Sequence, residues 1–470
     1  MRKKILPTLF ITLALAVGGW GLACQMGRGT PPQINVLLIT LDTTRADYLG
    51  IYGHDKPTSP NIDKLAEEAA VFDCAIAQAA VTPVSHASIL TGLNPYNHRL
   101  RVLHGLTENV LEEDQTTLAD FWKNAGGQAS AFVSAFPVSA SFGLDQGFDP
   151  FDQTFPQADG EGVVTQAGSI NTGKSQRRAD ATTDAALDWL QNGMTPDKPF
   201  FMWVHYFDPH DTLVLPPQDQ LDGMLDGPFK AASEERKDIL RAIYNCEIHY
   251  MDEQIGRLFD AFKNKKCWET TMIVVVADHG EGLGDHNWWS HGLLYAEQIR
   301  VPLLIKIPGA LGGKRIPSLV RTIDLMPTIL QAAGIEEERW PAMDGESLIP
   351  TMQSGHTPSA LTAYSESVNI MNYGRPDIMN IWDRKDDKLY CLTTATGKLI
   401  YHQLKPEKSE FYNLINDPHE LANLIGQDSQ ERDALTRTLQ AMNIFSEHMP
   451  GMTATDLERA RRLKGLGYIE

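Results

Sequence analysis

The run INVLLITL at residues 34–41 is rich in Ile, Leu and Val and is followed at once by Asp42. Such a run, in which apolar residues are not separated by polar ones at every second position, is typical of a strand buried on both faces of a sheet. Two further runs of this kind are FFMWVHYF at residues 200–207, which ends at Asp208, and TMIVVVA at residues 271–277, which ends at Asp278. Ligands in open α/β sheets bind outside the carboxyl ends of the strands. The sequence therefore predicts that three aspartates converge at one edge of a sheet.

Two of these strand ends also carry a histidine. His210 lies two residues after Asp208, and His279 directly follows Asp278. Carboxylates brought together at one edge would repel one another, so the pattern indicates a metal cation. The alternative interpretation is that each aspartate only marks the point where a strand meets solvent.

The order of apolar patterns predicts the fold class. From residue 34 to residue 334, strand-like runs alternate with helical patterns, among them a helix over residues 234–262, and this alternation is typical of an α/β protein with helices on both faces of the sheet. Short β-prone runs at residues 387–394 and 398–403 predict a smaller second unit. The expected divisions are a signal segment at 1–24, a linker at 25–33, a catalytic domain at 34–334, a linker at 335–350, a C-terminal subdomain at 351–430 and a helical tail at 431–470.

The N-terminus has the pattern of an export signal. Three basic residues at positions 2–4 precede an apolar stretch from residue 5 to residue 23. The sequence Gly-Leu-Ala-Cys at residues 21–24 resembles a bacterial lipobox, with Cys24 as the lipidated residue. We therefore expect an exported protein, either periplasmic or a lipoprotein of the outer membrane or cell surface. A retained N-terminal membrane anchor is the alternative, because the stretch is long enough to span a bilayer.

The composition excludes one class of partner. The chain has 60 acidic and 41 basic residues, which gives a net charge of −19. A general nucleic-acid-binding protein would present a basic footprint, so we expect no nucleic-acid partner.

Residues 79–92, AAVTPVSHASILTG, contain the candidate nucleophile. Thr82 and Pro83 precede a helical pattern that we expect to begin near Ser85. A hydroxyl group at that position would face a helix N-terminus, whose N–H groups and positive dipole end favour an anion. With a metal ion beside it, the Thr82 hydroxyl would ionise near neutral pH and could act as a nucleophile. The alternative is an ordinary helix cap.

Four segments together resemble the sulfatase family of the alkaline phosphatase superfamily. They are NVLLITLDTTRADYLG (35–50), TPVSHASILTG (82–92), ADHGEGLGDH (277–286) with HGLLYAEQIRVPLLIKIPG (291–309), and FYNLINDPHELANL (411–424). The resemblance runs from about residue 35 to the C-terminus. It implies a large central mixed, mostly parallel sheet flanked by helices, and a smaller C-terminal α+β domain with its own small antiparallel sheet.

The sequence departs from the family's pattern at the site itself. Formylglycine sulfatases carry Cys or Ser in a Cys/Ser-x-Pro-x-Arg motif, whereas here Thr82 aligns with that residue and His86 with the motif's Arg. Threonine cannot become formylglycine, so we expect no formylglycine. The family's paired aspartates correspond to Leu41 and Asp42, and a later active-site lysine corresponds to His291.

The resemblance implies a set of site residues. The expected metal ligands are Asp42, Thr82, Asp278 and His279, with Asp208, His210 and His291 as further candidates for a second metal site. The expected catalytic residues are Thr82, His210 and His291, and the expected substrate-binding residues are His86, His98 and Asn109. One or two divalent ions per chain are implied, with Zn²⁺, Mn²⁺ or Ca²⁺ as candidates.

The function implied is hydrolysis of a phosphate or sulfate ester of a small molecule, lipid or glycan, with the phosphoester favoured because imidazoles replace the family's Arg and Lys. Three alternatives stay open. They are a sulfatase that works without formylglycine, a membrane-anchored phospholipid head-group transferase, and a non-catalytic binding protein.

Overall fold

The computed structural model describes residues 31–101, 110–155, 176–210, 215–310, 312–356, 361–368 and 387–445, together with the backbone of 163–164 and 170–171. The expectations for the export signal, Cys24, Asn109 and the tail beyond residue 445 lie outside the described residues. In the part of the chain so described, no helix is both long enough and apolar enough to cross a membrane.

The elements occur in this order along the chain. The strands are β1 (Asn35–Leu41), β2 (Ala70–Ile76), β3 (Gln128–Val133), β4 (Phe151–Asp152), β5 (Val163–Val164), β6 (Ile170–Asn171), β7 (Phe200–Tyr206), β8 (Thr271–Ala277), β9 (Arg300–Lys306), β10 (Lys314–Arg321), β11 (Ala363–Ser367), β12 (Leu389–Thr393), β13 (Gly397–His402) and β14 (Glu410–Asn413). The α-helices are α1 (Pro60–Leu65), α2 (Thr82–Thr91), α3 (Pro95–His98), α4 (Leu118–Asn124), α5 (Ala179–Asp188), α6 (Gln218–Asp226), α7 (Arg236–Asn264), α8 (Ala296–Ile299), α9 (Leu325–Ala332), α10 (Ile349–Ser354) and α11 (Gln430–Ala441).

The central sheet has eight strands in the order β10-β2-β9-β8-β1-β7-β3-β4. Its strand pairs are parallel except those of β9, which is antiparallel to both β2 and β8. The prediction of a mixed, mostly parallel sheet flanked by helices is therefore confirmed.

The three apolar runs that end in aspartate form the middle of this sheet. β1 lies between β8 and β7 and is parallel to both. Every residue of β7 and β8 is buried, as is every residue of β1 after its first, which explains the absence of polar alternation. Because the three strands are adjacent and parallel, their carboxyl ends meet at one edge of the sheet.

The long helix α7 contributes one of its sides to the core. Ile248, Met251 and Ile255 on that side are fully buried. Between them Asp252 accepts hydrogen bonds from the backbone N–H groups of Asn61 and Ile62, both at 2.9 Å. A side chain of α7 thus caps the N-terminus of α1, since the first N–H groups of a helix have no partner within it.

The second unit has an antiparallel sheet in the order β11-β12-β13-β14, with α11 packed on it through Leu435 and Leu439. The predicted C-terminal unit with a small antiparallel sheet is therefore confirmed. Its first strand is tied to the central domain, because the N–H of Glu366 donates to the carbonyl of Gln78 at 2.9 Å. Gln78 belongs to the segment that leads from β2 into α2.

Candidate active site

The ends of β1 and β8 bring together a buried cluster of two carboxylates and one imidazole. Among the described residues, the potential ligand atoms of Asp42, Asp278 and His279 all lie within 4.8 Å of one another. All three side chains are fully buried. Two carboxylates at this distance in the protein interior repel each other and lack the solvation that water would provide, so the cluster needs a positive charge.

The contacts of Asp278 show how this cluster would receive a cation. Its Oδ1 accepts hydrogen bonds from the N–H groups of Thr43, at 3.2 Å, and of His279, at 2.8 Å. Its Oδ2 accepts no hydrogen bond from the described residues and lies 3.3 Å from His279 Nε2. Burial raises the pKa of Asp278 well above its ordinary value. A buried oxygen without a hydrogen-bond donor beside an imidazole nitrogen is a donor set that fits a divalent metal ion.

His279 presents Nε2 to the site because Nδ1 is engaged elsewhere. Nδ1 donates to the carbonyl oxygen of Gly280 at 2.9 Å, so in the neutral ring Nε2 carries the lone pair. Burial lowers the pKa of His279 to about 3, which keeps the ring neutral. The next residue must be glycine, since a Cβ on Gly280 would lie 2.0 Å from the carbonyl oxygen of Glu297.

Thr82 is the first residue of α2 and lies against the cluster. Its Oγ1 is 3.2 Å from His279 Nε2. The expectation that the helix begins near Ser85 is wrong by three residues, because a proline such as Pro83 is accommodated in the first helical turn. Ser85 Oγ donates to the carbonyl oxygen of Asp278 at 2.6 Å and so fixes the start of α2 to the end of β8.

Two further imidazoles lie beside this group. The ring centroid of His291 is 4.5 Å from that of His279, and His291 Nε2 is 3.3 Å from His210 Nε2. Because His291 Nδ1 donates to the carbonyl oxygen of Ala80 at 2.9 Å, His291 Nε2 is the acceptor and His210 Nε2 carries the shared proton. Burial lowers the pKa of His291 well below its ordinary value. The ring of His210 is held by stacking on Phe207 at 4.2 Å.

Asp208 lies at the end of β7, and its Oδ2 is buried and accepts no hydrogen bond from the described residues. Its Oδ1 accepts a hydrogen bond from the N–H of Ala179 at 3.0 Å, at the start of α5. Burial raises the pKa of Asp208 to about 7. Among the described residues, the group of three whose ligand atoms all lie within 4.8 Å does not include Asp208, His210 or His291.

The structure places the expected substrate-binding histidines inside the protein. His86 Nδ1 donates to the carbonyl oxygen of Thr82 at 2.8 Å, and its Nε2 is 3.1 Å from Thr40 Oγ1. His98 is fully buried with Nε2 at 3.0 Å from Ser88 Oγ. Burial lowers the pKa of His86 to about 4 and that of His98 to about 3, so both rings are neutral. Substrate binding by these two rings stays a prediction.

Sequence reasoning missed His205, a residue of β7 that contacts Asp42. His205 Nε2 is 3.1 Å from Asp42 Oδ2, and both side chains are wholly buried. The available signal was a polar residue inside the otherwise apolar run of β7, since a buried polar group requires a hydrogen-bonding partner.

The fold and the similarity to known proteins show an ester hydrolase of the alkaline phosphatase superfamily. The family model for sulfatases matches residues 34–335, and the model for the C-terminal region of N-sulphoglucosamine sulphohydrolase matches residues 284–444. The chain belongs to the sulfatase family.

Relatives and solved structures of two chemical kinds resemble this chain. An arylsulfatase of Clostridium perfringens is 26% identical over 457 residues, which cover 84% of this chain and 90% of the relative. The multifunctional alkaline phosphatase superfamily protein PehA of Trinickia caryophylli is 26% identical over 476 residues, with coverage of 83% and 91%. The crystal structure of the phosphonate monoester hydrolase of Agrobacterium radiobacter superposes with a TM-score of 0.65 at 20% identity, over 87% of this chain and 95% of that one.

Proposed function

We propose that this protein is a metal-dependent hydrolase of phosphate or sulfate esters that uses Thr82 as its nucleophile and prefers phosphoesters. The observation that carries the proposal is the position of Thr82 Oγ1, 3.2 Å from His279 Nε2 and beside a buried Asp–Asp–His cluster. A hydroxyl group at this point lies beside groups that can favour its ionised form, which a nucleophile of this kind requires.

Asp42, Thr82, Asp278 and His279 would hold the metal ion. When bound, a divalent ion supplies positive charge that lowers the pKa of the Thr82 hydroxyl and offsets the charge of both carboxylates. The oxygen and imidazole donors are compatible with Zn²⁺ or Mn²⁺, and the oxygen donors with Ca²⁺.

Thr82 would carry out the first step at the start of α2. The Thr82 oxygen forms a bond to phosphorus or sulfur, and the bond from that atom to the alcohol oxygen breaks. The N-terminal end of α2, which has ten residues, presents its positive dipole end to the transferred anionic group. Water then cleaves the covalent Thr82 ester and regenerates the hydroxyl.

His210 and His291 would manage the proton of the leaving group. When the Thr82 oxygen forms its bond to phosphorus or sulfur, its proton would pass to the His210–His291 pair, and the pair would donate it to the departing alcohol oxygen. In the second step the attacking water would give a proton to the pair, which returns it to the Thr82 oxygen. The two rings act together because His291 Nδ1 is fixed by the carbonyl oxygen of Ala80.

Two observations support the preference for phosphoesters. The N–H group of the His210–His291 pair can donate a hydrogen bond to a bound anion, and a phosphate monoester carries more negative charge than a sulfate ester. The relatives also include a phosphonate monoester hydrolase and a multifunctional protein of the alkaline phosphatase superfamily. Sulfate esters are the second candidate substrate, which the similarity to an arylsulfatase favours.

The test compares catalytic efficiency on four esters with the same aryl leaving group: a phosphate monoester, a phosphate diester, a phosphonate monoester and a sulfate ester. We expect phosphorus esters to be hydrolysed faster and Thr82→Ala to lower kcat/KM by about 10⁴-fold or more, since loss of a nucleophile has effects of this size. Thr91→Ala is the matched control, because Thr91 is a buried threonine of the same helix whose hydroxyl donates to Ala87. This control should keep its activity.

Each result bears on a different part of the proposal. Activity that survives in Thr82→Ala would show that another group is the nucleophile. If sulfate esters were hydrolysed faster and this activity still depended on Thr82, the proposed phosphoester preference would be wrong, but the Thr82 mechanism would stand. Absence of turnover with every divalent ion tested would favour a binding protein.

A further inference from the structure

His205 is a buried polar residue within the apolar strand β7. Its side chain is fully buried, and its Cα is paired with Thr40 of β1 on one side and Val133 of β3 on the other. An imidazole in the middle of a sheet is costly to bury unless its nitrogen atoms are hydrogen-bonded. The position therefore needs partners for both nitrogens.

Both nitrogen atoms of the ring have partners, and these determine its tautomer. The backbone N–H of Ser134 donates to His205 Nδ1 at 3.3 Å. An amide N–H can only donate, so Nδ1 carries the lone pair and Nε2 carries the hydrogen. The Nε2–H group therefore donates to Asp42 Oδ2 at 3.1 Å.

Ser134 is itself held in place. Its Oγ donates to the carbonyl oxygen of His205 at 2.7 Å, and it lies 2.7 Å from Thr182 Oγ1. Because Ser134 comes directly after β3, these contacts fix the amide that faces the ring. Asp42, His205 and Ser134 thus form one hydrogen-bonded chain across β1, β7 and the end of β3.

We propose that His205 is a positioning residue that orients the carboxylate of Asp42 for metal binding. This inference rests on the proposed metal-dependent function. Residue 41 is leucine, so β1 ends in a single carboxylate, and that carboxylate can rotate unless a donor holds it. A donor to one oxygen of a ligating carboxylate fixes its orientation and strengthens binding, and loss of such a donor typically costs 10- to 100-fold in metal affinity.

The test measures the dissociation constant of the whole chain for Mn²⁺ or Zn²⁺ by titration calorimetry. His205→Phe removes both nitrogens, His205→Asn carries an amide too short to reach Asp42, and His205→Gln places an amide N–H near the position of Nε2. We expect the Phe and Asn variants to bind the metal about 10- to 100-fold more weakly, and the Gln variant to stay within a few-fold of wild type. If His205→Phe does not fold, the metal affinities of the Asn and Gln variants are sufficient to test the role of His205.

His402→Phe is the matched control. His402 is another buried imidazole whose Nδ1 is 2.7 Å from a carboxylate, that of Asp387, but it belongs to the C-terminal sheet. We expect this variant to lose thermal stability and to keep the wild-type metal affinity.

Wild-type metal affinity in both His205→Phe and His205→Asn would overturn the role of His205, and so would equal weakening in the Gln and Asn variants. These results leave the proposed function intact if the wild-type chain binds metal and turns over esters through Thr82. Absence of saturable metal binding in the wild-type chain would overturn both.

Discussion

At the scale of single residues, burial acts in opposite directions on the acids and the imidazoles of the site. It raises the pKa of Asp278 well above its ordinary value and lowers the pKa of His279 to about 3. Burial disfavours the charged form of each group, so both shifts have one cause. His279 is consequently ready to act as a ligand across the accessible pH range, whereas Asp278 must lose a proton.

Metal affinity should therefore increase with pH, because Asp278 loses its proton as the pH rises, whereas His279 is already neutral. Because the folded-state pKa of Asp278 is raised, its ionised form is disfavoured in the metal-free protein, and metal binding must release that proton at acidic pH. We expect the dissociation constant for Mn²⁺ to fall as the pH rises from about 5 to about 8, with proton release measured by calorimetry in buffers of different ionisation enthalpy. Asp278→Asn should bind metal more weakly and lose the proton release. An affinity independent of pH in the wild-type chain would contradict the assignment.

At the scale of elements, side chains from distant parts of the chain hold the ends of the helices. Asp252 of α7 accepts two backbone N–H groups of α1 and also the side-chain amide of Asn61 at 2.9 Å. The short helix α1 begins with Pro60 and has no side-chain cap of its own from Ser59. Its start thus depends on α7.

Loss of this long-range cap should destabilise the fold. We expect Asp252→Ala to lower the free energy of unfolding by about 2 kcal/mol, because it leaves buried N–H groups without an acceptor. Asp260→Ala is the control, since Asp260 is an exposed residue of the same helix, and it should change stability by less than about 0.5 kcal/mol. The measurement is the urea midpoint of each variant, and equal midpoints for the two would contradict the capping role.

At the scale of the whole molecule, a buried ion pair of the C-terminal unit holds a carboxylate that also contacts the central domain. Lys398 of β13 donates to Glu420 Oε1 at 2.8 Å, and both side chains are buried. Glu420 Oε2 accepts the N–H of Ala296, at the start of α8 in the central domain. The Glu420 carboxylate therefore connects the C-terminal sheet to the start of α8, which follows the metal-site residues Asp278 and His279 in the chain.

Removal of the cation alone should be much more damaging than removal of both charges. We expect Lys398→Met to cost about 3–5 kcal/mol, because it leaves Glu420 charged and unpaired in the interior. The double variant Lys398→Met/Glu420→Gln should recover much of that loss, since glutamine can still accept from Ala296. Lys237→Met at the exposed pair with Glu235 is the control and should cost less than about 1 kcal/mol. A urea midpoint for Lys398→Met equal to that of this control would rule out a structural role for the pair.

The central strands and the acidic residues at their ends could be predicted from the sequence. The runs before Asp42 and Asp278 had to be buried strands because a continuous apolar pattern indicates burial on both faces. The carboxyl ends of these strands were expected to meet, because the carboxyl ends of parallel strands lie at the same edge of a sheet. The segment around Thr82 likewise predicted a hydroxyl at a helix start, although the helix begins three residues earlier than expected.

The hydrogen-bond partners of the buried polar residues could not be predicted from the sequence. His205 and Asp42 are 163 positions apart, and their contact depends on the register that pairs Thr40 with His205. The same holds for His86, which hydrogen-bonds to the backbone of Thr82 and to Thr40, 46 positions away. A sequence pattern indicates whether a residue is buried, but the direction of a hydrogen bond depends on which strands are neighbours and in what register.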